Sequence, residues 1–531
     1  MKPRSSPKRC GLLAASIAVL FAGGAAPALA DMETLLEKLR EKNVLTSEEY
    51  EEMRTEARGE RREKALKDAQ AMEKAEKAAT TLGKVKGTGL GFESADGLTA
   101  INLTGRVHFD AREFDHDMFE GSDDRDTASV ATGMELRRAR IGLNGYVNKD
   151  VGFEIVANTL GGSANLIDTA WLNLGFVKTA QFRMGRFKQP FNLEELTSSN
   201  SIDFMERSYV NQLAPAKKIG AMLHGEPIMG MTYAASVFQE DFSLNSANED
   251  SQGAARLTAN FAQIGGWNGI VLHLGVAGTA GQYQIRPASS TQTSTTASTT
   301  TRATIVGFRS ENRGLQNVYR AQISGSTLGT AAFGGLDEMA ADVDKKLQGL
   351  ELAAAIGPFK LQGEYVKADF DATHPSAANK TVTGDVSAQY VEAIWNITGE
   401  KWSDAYRAGT FSGVKPKSNF NVGSSGIGAW QLGVRLSGYD ASDITVGGTS
   451  SRQQNNNEAK TFTVGVNWLL NSNARIMLNY AKTDYEGTCF TGAGNATSAT
   501  ECVKALDVSG PATQTAIDSE TVISLRGQVN F

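Results

Sequence analysis

From Ala100 to Phe531 the chain repeats one pattern: short segments that alternate apolar and polar residues, joined by connections that are short and long in turn. A β-strand sends successive side chains to opposite faces, so this alternation means unlike environments on the two sides of a sheet. In Ile101-Asn102-Leu103-Thr104-Gly105-Arg106-Val107-His108-Phe109-Asp110-Ala111-Arg112 every odd position is apolar or glycine and every even one polar. One such strand would suit a soluble sandwich equally well. The set decides more: about sixteen segments run from Ala100–Phe114 to Thr521–Phe531, with short turns at Asn148-Lys149-Asp150, Val177-Lys178-Thr179, Gly357-Pro358 and Asn471-Ser472-Asn473. The predicted fold class is all-β, a transmembrane antiparallel β-barrel of about 16 strands, preceded by a short N-terminal helical segment. One connection breaks the rule. Thr398–Gly428 falls where a short turn belongs, so either the strands extend into it or the count is off by a pair.

No run of about 18 apolar residues occurs outside the N-terminus, so no transmembrane helix is expected. A barrel strand needs only about 9–11 residues and shows lipid at every second position, which keeps overall hydropathy low. The formal charge of −6 sums lumen, loops and a charged N-terminal stretch and identifies no ligand. Without a basic cluster interleaved with aromatics, the sequence argues against nucleic acid. His108 reads as a hydrogen-bonding residue of the polar face. His116, His224, His273 and His374 are scattered without metal-ligand spacing, so neither metal nor cofactor is expected. Trp171, Trp395, Trp430 and Trp468, with Tyr146 and Tyr480, are expected in interfacial girdles or packing.

The N-terminus carries an export signal. Lys2, Arg4, Lys8 and Arg9 precede an apolar core from Gly11 to Gly24 and the small-residue site Ala28-Leu29-Ala30, so residues 1–30 read as a signal peptide. Cys10 leaves with it. Cys489 and Cys502 remain; an exported chain meets oxidising conditions, and a disulfide between them is expected, with two separate thiols as the alternative. Residues 31–80 form a charged helical segment, in which Thr46-Ser47-Glu48-Glu49 reads as a capping box. It is either a coiled coil that joins subunits in the periplasm or a solvated single helix. Residues 81–98 read as a linker and 99–531 as the barrel.

The last strand alternates Ile523, Leu525 and Val529 with polar residues and ends on Phe531, which resembles the outer-membrane barrels of Gram-negative bacteria. The chain also contains Leu136-Arg137-Arg138-Ala139-Arg140-Ile141-Gly142, Gly185-Arg186-Phe187-Lys188-Gln189-Pro190-Phe191 and Glu195-Leu196-Thr197-Ser198-Ser199. These precede Phe204-Met205-Glu206-Arg207-Ser208, Gly428-Ala429-Trp430-Gln431-Leu432-Gly433-Val434-Arg435, and Gly465-Val466-Asn467-Trp468 running into Arg475-Ile476-Met477-Leu478-Asn479-Tyr480. In these motifs and their order the sequence resembles the phosphate-selective porins of the O and P type. The resemblance implies an outer-membrane barrel in contact with lipid, usually a homotrimer, whose third outer loop folds inward. It also implies an anion path, for phosphate or similar ions, lined by arginines and lysines. One departure is Pro215-Ala216-Lys217-Lys218, where the family pattern has Pro-Gly-Arg. Lysine keeps the charge but not the planar fork that holds an oxyanion with two hydrogen bonds.

Pores select anions by fixed positive charge at a narrow wall. Parity places Arg106 and Arg112 of the first strand, Arg138 and Arg140 of the second and Arg183 of the fifth on the lumen face, with Lys217 and Lys218 opening the sixth strand. Arg435, Arg475 and Arg526 follow on the last four strands. The inward loop, about Lys188–Ala216, contributes Pro190, Phe191, Glu194, Glu195, Phe204, Glu206 and Arg207 to a constriction. Arg137 has the opposite parity and is expected at the outer rim facing lipid, and Arg186 and Lys188 need a bulge or loop start to turn inward. The competing reading is that wall arginines pair with carboxylates such as Asp110, Glu154 and the acidic loop residues. Function then divides three ways: an anion-favouring porin, a general porin with little selectivity, or an outer-membrane barrel enzyme. The last needs a nucleophile or carboxylate paired with histidine, and His116 beside Asp115 and Asp117 has no serine motif with it.

Overall fold

The structure, a computed structural model, describes residues 37–42, 44–80, 90–94, 96–118, 133–160, 166–239, 251–285, 302–315, 318–324, 341–374, 377–448, 452–486 and 517–531. The expected signal peptide, Cys489 and Cys502 lie outside them. In the N-terminal unit, helix α1 spans Ser47–Thr80. Its start is held reciprocally: the Glu49 amide donates to Thr46 Oγ1 at 3.3 Å, and the Thr46 amide to Glu49 Oε2 at 2.9 Å.

The second unit is the barrel. Among the described residues sixteen strands follow one another: β1 Ala100–Met118, β2 Gly133–Val147, β3 Val151–Asn158, β4 Ile167–Val177, β5 Ala180–Lys188, β6 Lys217–Gly225, β7 Met231–Gln239 and β8 Gln252–Asn260. They continue as β9 Ile270–Ile285, β10 Ala341–Ile356, β11 Phe359–His374, β12 Ala377–Asn396, β13 Ala429–Asp440, β14 Glu458–Leu469, β15 Ala474–Glu486 and β16 Ile517–Asn530. Each pairs antiparallel with its predecessor, and β1 also pairs with β16, Val107 opposite Val529, which closes the ring. Closure leaves no unpaired sheet edge, the condition for strands to cross hydrocarbon. Along β1, Ile101, Val107 and Phe109 are exposed on the outside while His108, Asp110 and Arg112 are buried inside. The outward set continues through Leu143, Ile155, Leu350, Leu361, Val391, Leu478 and Leu525. Apolar exterior and polar interior are the reverse of a soluble protein, as lipid requires. Leu90–Glu93, within the stretch read as linker, adds a short strand beside β1.

The anomalous connection resolves without changing the strand count. Residues 397–428 lie at the short-turn end, between β12 and β13, and fold back into the lumen. A 3-10 turn at Trp402–Ala405 leads into a small hairpin, Tyr406–Arg407 against Thr410–Phe411. Trp402, Phe411 and Val414 are buried in one cluster with Val271, Ala355 and Ile394 of the wall and with Leu193 and Phe204 of the inward loop. Parity could not foresee this, because the segment has no strand period.

At the long-loop end, Arg302–Phe308 pairs with Tyr319–Ser324, and Arg452–Asn455 extends the pair to a three-stranded sheet. The low-complexity run Ser289–Thr301 of this connection is outside the described residues. The part that follows packs well: Phe308 stacks on Tyr439 with ring centroids 3.9 Å apart, and Tyr209 of the inward loop meets Tyr439 edge-on at 4.9 Å.

Candidate functional site: a cationic lumen beside an anchored loop

The loop between β5 and β6 leaves one wall and is fastened to the opposite one. At its one-turn helix, Leu193–Leu196, the amides of Leu193 and Glu194 each donate to the Glu364 carboxylate of β11 at 2.7 Å. Farther along, Arg475 of β15 donates to Ile202 O at 2.9 Å, Asn467 of β14 to Asp203 O at 2.8 Å and Arg526 of β16 to Met205 O at 2.5 Å. Lys360 of β11 pairs with Asp203. Apolar docking uses glycines of the wall. Gly433 and Gly465 face each other across β13 and β14, and the Phe204 ring lies over them. A Cβ at Gly465 would stand 3.0 Å from Phe204 Cδ1. The Arg435 guanidinium stacks over the same ring at 4.7 Å.

The densest charge cluster fixes the end of this loop. Glu206 accepts from Arg112 at 2.7 Å, from Arg137 at 2.8 and 3.1 Å and from Arg526 at 3.3 Å. Asp110 accepts from Arg526 at 2.6 and 2.7 Å and from Arg112 at 2.5 Å. Burial alone would raise the Glu206 carboxyl, but Arg137, Arg112 and Arg526 outweigh it and hold the group well below the usual carboxylate range. Glu195 is likewise held down against burial by Arg207, Lys188 and Lys217. Glu311, which dips in from the 302–324 connection, shows the opposite balance: burial raises it, and Arg435 offsets that in part.

Beside the loop lies a cavity of about 1730 Å³, lined by β1–β8, the inward loop and the tip of the 397–428 insert. Twelve arginines and lysines line it against five carboxylates. Arg106 donates to Ser199 Oγ at 2.8 Å, Arg140 forms an ion pair with Asp168 at 2.9 Å, and Lys217 also pairs with Asp168. Arg183 stacks over Trp171 at 4.3 Å, while Trp171 donates to Glu154 at 2.8 Å. Lys188 gives its ammonium to the carbonyls of Glu195 and Thr197, and Arg207 donates to Glu194 O at 2.9 Å and Thr197 O at 2.8 Å. These loop carbonyls are thereby satisfied and the cationic heads fixed at the narrow side.

The expected site residues therefore separate into two groups. Arg106, Arg138, Arg140, Arg183 and Lys217 line the cavity, as do Pro190, Glu195 and Arg207 of the loop, but Lys218 is not among the lining residues. Arg112, Arg435, Arg475 and Arg526 are buried and engaged with the loop; Arg112, Arg435 and Arg526 pair with carboxylates, whereas Arg475 bonds loop carbonyls and Gln528. Phe191, Glu194, Phe204 and Glu206 are buried loop anchors. Arg137 is a correction. The β1–β2 pairing slips between His108 and Phe109, leaving Arg137 as the extra residue of a bulge, and its side chain turns inward to Glu206 instead of outward to lipid. Arg186 and Lys188 reach the cavity past Gly185, whose φ of 120° marks the break in parity. His108 meets Asn200 at 3.2 Å and Arg138 at 3.3 Å. His116 pairs with Glu520 at 3.1 Å. Asp168 of β4 also lines the cavity, a carboxylate not singled out from the sequence. Arg256, held by Glu351 at 2.8 and 2.7 Å, and Arg407 were missed as well.

A family model described as Phosphate-selective porin O and P matches residues 101–497. Porin O of Pseudomonas aeruginosa is 27% identical over 426 residues, which cover 76% of this chain and 87% of that protein. Among solved structures, an anion-selective porin from Comamonas acidovorans aligns over 82% of this chain and 100% of its own at 13% identity and a TM-score of 0.43. The trimer form of OmpT from Vibrio cholerae aligns over 82% of this chain and 99% of its own at 11% identity and 0.44. The closed ring of sixteen strands agrees with the family match, which spans three quarters of the sequence. The chain is a bacterial outer-membrane β-barrel channel and belongs to the phosphate-selective porin O and P family.

Proposed function

We propose that the barrel is a passive channel for small anions, phosphate and related oxyanions foremost, with its short-turn end in the periplasm. The observation that carries this reading is the excess of fixed positive charge around the cavity, twelve basic side chains against five acidic ones. Such walls concentrate anions and repel cations. Phosphate finds a further feature here. At neutral pH its monohydrogen form presents oxygens for arginine and lysine and one O–H that needs an acceptor. Asp168, between Arg140 and Lys217, offers that acceptor beside the donors. Sulfate has no proton to give it, and a site built around a hydrogen bond discriminates against ligands that lack it.

The reversal potential of the protein in a planar bilayer under a potassium chloride gradient tests the reading. An anion-selective sign is expected, and a cation-selective or neutral one overturns it. Added phosphate should block chloride current at low concentration. Absence of block with anion selectivity intact would leave an anion channel without phosphate preference, whereas a reversal potential near zero would favour the general, weakly selective porin, a reading supported by the partial neutralisation of Arg140 and Lys217 by Asp168. A homotrimer belongs to the same proposal and rests on the family resemblance; sedimentation in detergent gives the subunit number.

A further inference from the structure

The 397–428 insert does more than fill space. None of the cavity lining comes from β9–β16. On that side the lumen is filled by the inward loop, fastened to β11 and β14–β16, and by the insert packed against it, whose Trp402 amide donates to Gly357 O at 3.0 Å and whose indole lies under the Lys360 ammonium at 4.6 Å. The passage is thereby confined to the wall of β1–β8, where the basic residues are. The hairpin tip reaches that passage: Arg407, Ala408 and Thr410 all line it.

The tip is held rigidly. Ala408 and Gly409 have φ of 47° and 74°, two successive left-handed residues that turn the chain in the tightest hairpin geometry. Such a φ is unfavourable for alanine and persists where the surroundings impose it. Here they do. Gly409 O accepts from Arg256 at 2.8 Å, Arg256 is itself clamped by Glu351, and Tyr406 meets His273 of β9 at 2.7 Å. A Cβ on Gly409 would stand 2.8 Å from Thr258 Oγ1, so the tip is pressed against β8. Arg407 differs from the charges that build this scaffold. Its side chain is exposed to the cavity, and among the described residues it has no carboxylate at ion-pair distance. Arg256, Lys360 and Glu351, a few residues away in space, are buried and paired.

We propose that Arg407 is a selectivity-determining residue: a fixed, unneutralised cation placed by the insert at the short-turn side of the passage. It forms a second anion station, separate from the Arg106–Arg140–Lys217 group beside the inward loop. The inference rests on the channel reading above. A unit charge about 6 Å from the ion path in water changes ion partitioning about threefold. Permeability ratios from reversal potentials of full-length Arg407→Lys, Arg407→Ala and Arg407→Glu channels decide the matter. The expected anion-to-cation ratio is unchanged for lysine, about tenfold lower for alanine and about a hundredfold lower for glutamate, because the lost charge acts on anion and cation in opposite senses. Wild-type ratios in the alanine and glutamate channels would overturn the station. So would a lysine channel that behaves like the alanine one, since the effect would then be shape and not charge. A wild-type channel without anion preference would refute the parent reading, while the order lysine, alanine, glutamate would still report on Arg407.

Discussion

Asp168→Asn tests how charge and hydrogen bonding divide the work in the cavity. Asp168 lies on β4, forms an ion pair with Arg140 at 2.9 Å and takes a hydrogen bond from Lys217. Asparagine keeps its size and an acceptor oxygen but removes the charge, leaving both cations for the passing ion. A charge about 5 Å from an ion in open water is worth about 0.8 kcal/mol, or about fourfold in partitioning, and about four times that energy at the effective dielectric of a protein surface. The cavity is large and wet, so the water-like figure applies. The charge acts on chloride and potassium in opposite senses, so their permeability ratio should rise about sixteenfold at low salt, with the gain shrinking as salt screens it. Phosphate should respond differently. An amide accepts the P–O–H proton less strongly than a carboxylate, because charge-assisted hydrogen bonds are about twice as strong as neutral ones. The ratio of phosphate to sulfate blocking constants should therefore fall in the variant. Bilayer recordings of chloride current with either oxyanion added give both quantities. A chloride ratio that stays constant or drops would refute the electrostatic reasoning, and an unchanged phosphate-to-sulfate ratio would refute the acceptor role.

Other consequences concern the loop. Gly465→Ala should force the Phe204 ring away, since the new Cβ would sit 3.0 Å from it, and overpacking of this kind costs about 1–3 kcal/mol. A lower denaturant midpoint and noisier open-channel current are expected; wild-type values in both would refute the docking. Phe204→Ala, which empties a buried aromatic site, should cost more, about 3–5 kcal/mol. The pH response follows from Glu206. Its folded value is depressed, so its contribution is complete above the ordinary 4.5 and is lost only as pH falls through the lower folded value. Loop-dependent stability should hold from pH 7 to about 4.5 and decline below. Glu206→Gln should be less stable already at pH 7, with a flatter acid limb in thermal unfolding. An acid limb no different from wild type would show that Glu206 does not carry it.

Much of the barrel was legible because a period of two is a local property. Each of the sixteen segments could be read from its own residues, and the inward loop stood out as the one long polar break early in the series. The candidate site was less legible. Arg112 and Arg106 share one strand and one parity, yet Arg112 is locked to Asp110 and Glu206 while Arg106 lines the cavity. Arg137 was misplaced because a bulge changes parity at one residue, and nothing in Leu136-Arg137-Arg138 marks where the pairing slips.

By itself the sequence determined which face of each regular strand is wet and where most of the turns fall, since these follow from side-chain order along a stretched backbone, while the strand count stayed open by a pair until the 397–428 insert was placed. Which cations face the passage and which are neutralised was decided in three dimensions. The partners come from far along the chain: Arg526 meets Asp110 across 416 positions and Arg435 meets Glu194 across 241. Closing the ring brings the last strand beside the first, and folding a loop and an insert inward sets their carboxylates and carbonyls against the walls. Coulomb energy depends on those distances, which parity along the chain does not encode.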